Sequence, residues 1–236
     1  MCGRSSLHDA PRNVLERLKL PPVIPGFSPR YNIAPSQDQW TIGLDSKGHP
    51  GVSARRWGLI PYWANDPSVG SRMINARSDS LEGKPAFRES VQQRRCVILA
   101  DGYYEWMQVG KSKVPLFFHM KGHVPFVMAG VWDRWKKGVN PIETCAVITT
   151  DAASRTAKCH PRMPALLSLD SAERWLDRDT PLKEALALLQ PYEGEDLEFY
   201  EVSKLVNNAA FDSPACIEAA GEPKVETVSQ LSLLPD

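Results

Sequence analysis

Apolar residues along this chain fall in short runs with alternating polar positions, punctuated by proline, glycine and charged clusters. The runs at 39–44, 52–58, 95–106, 114–120, 125–132, 143–150, 163–168 and 197–203 are rich in β-branched and aromatic residues and read as strands. Helical spacing is confined to three places. Asp9 ahead of Pro11 opens a stretch in which Val14, Leu15 and Leu18 share one face, and Pro21–Pro22 close it. Ser171–Asp177 carries Glu173 in its first turn, and Thr180-Pro181 opens LKEALALLQ, which Pro191 stops. The proline-rich passage PPVIPGFSPRYNIAPSQ reads as irregular. Many short strands with a few peripheral helices predict the α+β class, a single domain with a mainly antiparallel, barrel-like β core. No repeat or Gly/Ser linker divides the chain, so one domain is expected over residues 2–220, followed by a polar tail over 221–236.

Composition narrows this picture. With 236 residues, 42% of them apolar, the chain can bury one substantial core. The 5 cysteines, Cys2, Cys96, Cys145, Cys159 and Cys216, form no CxxC pair, and residues 1–10 (MCGRSSLHDA) lack a secretory apolar stretch. A reduced, soluble cytoplasmic protein without structural zinc or disulfides is expected. Net charge is zero, yet residues 1–164 hold 23 Lys+Arg against 13 Asp+Glu and residues 165–236 hold 5 against 15. That asymmetry allows one positive face on a neutral molecule, suited to phosphate; solvated helix faces give the same totals.

Candidate chemistry starts at Cys2. Removal of Met1 turns Cys2 into a 1,2-aminothiol, whose amine condenses with an aldehyde to a Schiff base and whose thiol then closes a thiazolidine. Ordinary pKa values of about 7.7–8.0 for the amine and about 8.5 for the thiol leave both nucleophiles available near neutrality. Glu105 lies among Tyr103, Tyr104 and Trp106 after the apolar CVILA run, so partial desolvation is expected to raise its pKa and fit it for proton transfer. His160 is a second acid–base candidate, and the Asn75 amide is suited to orienting a substrate. Arg4, Arg77 and Arg162 are fork-shaped phosphate donors, and Trp63 is a stacking surface. Each also fits a structural role: Glu105 paired with an arginine, His160 exposed, Asn75 capping backbone groups, Trp63 filling a core.

Taken together, MCGR, RYNIAPSQ, WGLIPYW, INARSDSL, ADGYYEW, ITTDA and HPRMP, in this order over roughly residues 2–210, resemble the successive blocks of the SOS-response-associated peptidase (SRAP) family of abasic-site processing proteins. The resemblance implies a covalent thiazolidine between the mature N-terminal cysteine and the ring-opened aldehyde of an abasic site in single-stranded DNA. It implies Cys2 as nucleophile, Asn75 as orienting residue, Glu105 as proton-transfer residue and His160 as the acid for sugar opening. Arg4, Arg77 and Arg162 become phosphate contacts, with Asn32, Pro35 and Trp63 shaping the groove. No metal and no organic cofactor are implied, and a monomer is expected. Ala64 follows Trp63 where some relatives carry a second tryptophan, and Pro161 follows His160 where an acidic residue is common. Two other readings remain open: a thiol peptidase using Cys2, His160 and Asn75, and a non-covalent reader of modified bases in duplex DNA.

Overall fold

The structure, a computed structural model, describes residues 2–221. The first third holds β1 (Ser5–Leu7), α1 (Arg12–Arg17), β2 (Arg30–Ile33), β3 (Asp38–Leu44) and β4 (Pro50–Trp57). The middle holds β5 (Asn75–Arg77), α2 (Pro85–Gln93), β6 (Arg95–Ala100), β7 (Gly102–Val109), β8 (Ser112–Met120), β9 (Phe126–Trp135) and β10 (Ile142–Asp151). The last part adds β11 (Arg162–Pro164), β12 (Leu166–Leu167), α3 (Leu169–Leu176), α4 (Leu182–Ala187) and β13 (Leu197–Glu201). The tail expected over 221–236 lies outside the described residues, apart from Gly221.

The expected α+β, mainly antiparallel, barrel-like architecture is what forms. Pairings β3–β4, β4–β10, β10–β9, β9–β6 and β6–β3 close a ring, and only the contacts of β10 with β4 and β5 are parallel. A second sheet runs β13-β8-β7-β1-β2. The two share one core, because Ile98, Val127 and Val147 of the ring belong to the same buried cluster as Leu7, Tyr103 and Phe118 of the second sheet. Helix α3 caps the ring with Trp175, which is fully buried and donates its indole N–H to Cys96 O at 2.8 Å. Burying such a side chain contributes roughly 1.5–3 kcal/mol.

Three departures from the sequence pattern have physical causes. The apolar run 95–106 is two strands in two sheets. Asp101 breaks it, its buried carboxylate accepting hydrogen bonds from Ser6 Oγ and the backbone N–H groups of His8 and Asp9. Gly102 follows because a Cβ there would lie 2.1 Å from the Phe117 ring. The proline-rich passage contains β2, whose extended backbone is held by Asp212: its carboxylate accepts from the N–H groups of Tyr31 (2.6 Å) and Asn32 (3.0 Å). Helix α2 is additional, with Pro85 in its first turn and Phe87 and Val91 buried one turn apart.

Strand β10 changes partners along its length. Residues Ile142–Val147 pair with β9 and Thr144–Cys145 with β4. Beyond them β5 takes the β4 side, Asn75 opposite Val147 and Arg77 opposite Thr149, and β11 takes the other side, Arg162 opposite Asp151. One strand thus links the ring to the residues singled out for chemistry.

Candidate active site

The amino-terminal segment reaches its position by strand pairing. Ser5 lies opposite Tyr103, and the Tyr104 N–H donates to Arg4 O at 3.0 Å, so the antiparallel course of β1 carries Cys2 toward Glu105. Cys2 is completely buried, with its sulfur 3.7 Å from Arg4 O, and Asn75 Nδ2 donates to Cys2 O at 2.7 Å. β5 aims Asn75 there because it is locked in register on β10.

Burial dominates the electrostatics. It pushes the Cys2 thiol well above its ordinary range, and the Glu105 carboxylate adds to the effect. Glu105 is 3% exposed, and burial raises its pKa from 4.5 to about 7. Its Oε1 lies 4.0 Å from His160 Nδ1. That nitrogen sits 3.0 Å from both the backbone N and the carbonyl O of Arg162. In the tautomer that accepts from the Arg162 N–H, the ring proton is on Nε2. Burial lowers the His160 pKa, which keeps the imidazole neutral at pH 7.

Chemically, the cluster offers a thiol, a carboxyl that exchanges protons near neutrality, and a neutral imidazole, brought together from positions 2, 105 and 160 of the chain. Asn75 Oδ1 is a buried acceptor with no hydrogen-bond partner among the described residues, poised for an incoming amine or hydroxyl. No group of three or more His, Cys, Asp or Glu among the described residues is placed to hold a metal ion.

The sequence profile described as SOS response associated peptidase (SRAP) matches residues 1–209. The chain belongs to the SRAP family. Abasic site processing protein YoqW of Bacillus subtilis is 38% identical over 224 residues, covering 93% of this chain and 100% of that protein. Abasic site processing protein HMCES of Gallus gallus is 37% identical over 188 residues, 69% of this chain and 55% of that one. A protein from Bacteroides thetaiotaomicron of known crystal structure superposes with a TM-score of 0.81 at 27% identity, covering 93% of this chain and 100% of that one.

The remaining SRAP candidates divide into two groups. Arg77 and Arg162 flank the Thr149–Asp151 end of β10 and share Asp79: Arg77 Nη2 is 2.6 Å and Arg162 Nη1 3.9 Å from Asp79 Oδ2. Arg162 also pairs with Asp151 at 2.8 Å and donates to Thr149 O at 2.6 Å. Trp63 is 47% exposed, with its carbonyl accepting from Lys137 Nζ at 2.6 Å. Pro35 is half-buried beside Ser36, whose N–H donates to Trp57 O at 2.8 Å. Arg4 and Asn32, by contrast, spend their donors inside the protein. Arg4 donates to Asn32 Oδ1 (2.7 Å) and to the carbonyls of Val206 and Asn207, and burial lowers its pKa. Asn32 is fully buried, its amide donating to the carbonyls of Val206, Asn208 and Phe211, so it shapes any groove only through the 206–211 turn it braces.

Tyr103 and Cys159 were not among the expected site residues. The Tyr103 hydroxyl is buried without a hydrogen-bond partner among the described residues, and burial, then Cys2 and Glu105, raise its pKa. Its position two residues before Glu105 on a strand, hence on the same face, is the sequence signal that finds it. The buried Cys159 thiol is pushed up by burial and by Glu105.

Proposed function

We propose that this SRAP protein captures abasic sites in single-stranded DNA as a covalent thiazolidine on Cys2. The observation that carries the reading is the convergence of Cys2, Asn75, Glu105 and His160 at the end of β10, in a chain whose relatives are named abasic site processing proteins. Once Met1 is removed, the Cys2 amine adds to the C1 aldehyde of the opened sugar, giving a carbinolamine. Loss of water gives the imine, the Glu105 carboxyl supplying the proton for sugar opening and dehydration and His160, 4.0 Å away, relaying it to the sugar oxygen. The Cys2 sulfur then bonds to the imine carbon, Glu105 accepts the thiol proton, and the imine nitrogen takes up a proton. One aldehyde and one aminothiol give one thiazolidine and one water.

A carboxyl with a pKa near 7 is matched to this task, because it accepts and returns a proton at neutral pH without a large driving-force penalty. The same cluster argues against a thiol peptidase. That chemistry uses a thiolate stabilised by an imidazolium, whereas here burial pushes the thiol up and the imidazole down. The Asn75 amide, moreover, is bound to Cys2 O rather than to His160. We assign Arg77 and Arg162 to phosphate contacts and Trp63 to base stacking, with Arg4, Asn32 and Pro35 supporting the adjoining loops. The protein acts as a monomer in the cytoplasm.

Incubating mature protein, freed of Met1, with an abasic single-stranded oligonucleotide and separately with a peptide library tests the assignment. A denaturation-resistant protein–DNA species is expected and peptide cleavage is not. Reversible, salt-sensitive binding as the only outcome would favour the non-covalent reader.

A further inference from the structure

At the opposite end of β10, the ring opens into a cavity of about 630 Å³ that shares no residue with the site described above. Glu143 marks its place on the strand, four residues before Val147 and eight before Asp151, so the two sites are separated by roughly 13–26 Å along β10. Its volume is in the range of small-molecule sites, roughly 300–1,000 Å³.

The lining is strongly basic and under-supplied with acceptors. Arg55, Arg94, Arg134 and Arg178 face two carboxylates, Asp45 and Glu143. Asp45 is engaged by its own loop, accepting from the N–H groups of Lys47 (2.8 Å) and His49 (2.9 Å). Arg94 is balanced by Glu89 and Asp133, and Glu143 is shared between Arg55 at 3.2 Å and Arg134 at 4.0 Å. Arg55 is 5% exposed and stacks 4.1 Å over the Trp132 ring, which fixes its fork at the floor of the cavity. Beside it, Trp132 Nε1 is a buried donor with no hydrogen-bond partner among the described residues. A Cβ on Gly43 would come within 3.3 Å of that nitrogen and 3.5 Å of Arg55 Nη1, so glycine here keeps open the space an acceptor would fill.

We propose that this cavity binds a small phosphate-bearing ligand, a diphosphate or a phosphate ester of mononucleotide size. With Arg94 balanced, Arg55, Arg134 and Arg178 exceed Asp45 and Glu143 by one positive charge, which draws in a phosphate group carrying about −1.5 to −2 at pH 7. Several guanidinium forks and one indole N–H supply the multiple donors that phosphate oxygens accept. Arg55 lies too deep for the backbone of a continuous DNA strand, so the phosphate arrives on a free small molecule or at a strand terminus.

Titration calorimetry with inorganic pyrophosphate and with a 5′-phosphorylated trinucleotide, alongside the Trp132 indole resonance in a ¹⁵N spectrum assigned with Trp132→Phe, tests the site. Saturable binding of either ligand with a shift of the Trp132 indole signal is expected. The double variant Arg134→Gln/Arg178→Gln, changed at exposed positions that spare the fold, should weaken binding by about tenfold or more. Cys2→Ala should leave it unchanged. Preference for pyrophosphate would assign the cavity to free phosphates, and preference for the trinucleotide to strand ends. The absence of saturation below about 10 mM, undiminished binding by the double variant, or full displacement by unphosphorylated single-stranded DNA would each overturn the proposal.

Discussion

The two ends of strand β10 are chemically opposed. At Val147–Asp151 the partners are an amide with an idle acceptor, a carboxyl shifted to about 7 and a neutral imidazole. At Glu143 they are guanidiniums and an idle indole donor. Burial moves the proton affinities of thiol, carboxyl and imidazole, and so prepares them for reaction. It leaves a guanidinium charged, and so concentrates positive potential instead. The same physical operation, applied to different side chains, gives one end a reactive character and the other an electrostatic one.

The sharpest way to break this comparison is Cys2→Ala, which should abolish stable crosslinking to an abasic oligonucleotide while leaving the fold and the far cavity untouched. A transient Schiff base trapped by borohydride should survive, because the amine remains. Cys2→Ser should behave alike, since a hydroxyl closes the ring far less favourably. Wild-type yields of stable adduct from either variant, read on a denaturing gel, would remove the thiol from the chemistry.

Next come Glu105→Gln and His160→Ala, which should slow adduct formation by about 10²–10⁴-fold without loss of DNA binding. Asn75→Ala should cost less, as expected of an orienting group. Single-turnover rates decide this, and unchanged rates would return Glu105 and His160 to structural roles. Glu105→Gln also has a stability signature. The folded protein holds the Glu105 proton up to about pH 7, against an ordinary value of 4.5, so its contribution to stability declines as pH rises through that window. Gln should therefore stabilise the protein by up to about 3 kcal/mol at pH 8 and by little at pH 4. Denaturant melts at both pH values provide the check, and equal gains at both would contradict the burial argument.

How much of this was legible in the sequence differs between the two ends. Cys2, Asn75, Glu105 and His160 stand out because polar groups interrupt apolar strands, and strand alternation adds Tyr103. The ring itself follows from the runs at 39–44, 52–58, 125–132 and 143–150. Other features depend on contacts no local pattern encodes. Arg4 meets Val206 and Asn207, and Asn32 meets Asn208, across separations far longer than any motif, so their bracing role is visible only in the fold. The division of 95–106 between two sheets turns on Asp101 meeting Ser6, and β5 is too short for its own periodicity. The arginines of the far cavity come from four separate segments and read in sequence as solvated surface charge.

The smallest effects concern recognition. Undamaged single-stranded DNA should bind less tightly as salt rises, with a log–log slope of about −0.7 per phosphate neutralised. Arg77→Ala should make that slope shallower by roughly one contact, and Asp79→Asn, which frees Arg77 and Arg162 from an exposed ion pair, should tighten binding by no more than about 1 kcal/mol. Duplex DNA should bind more weakly, because the abasic sugar must leave the stack to reach Cys2. Anisotropy titrations at several salt concentrations measure all four, and a flat salt response would remove the arginines from the interface.

The central claim is tested most directly by peptide mapping of the crosslinked species. Mature protein incubated with an abasic single-stranded oligonucleotide, digested and analysed by mass spectrometry, should yield one modified peptide, beginning at Cys2. Its mass should equal peptide plus deoxyribose remnant less one water, and it should survive borohydride without gaining hydrogen, as a closed thiazolidine does. A modified lysine peptide, or an adduct at Cys2 that borohydride still reduces, would contradict the account.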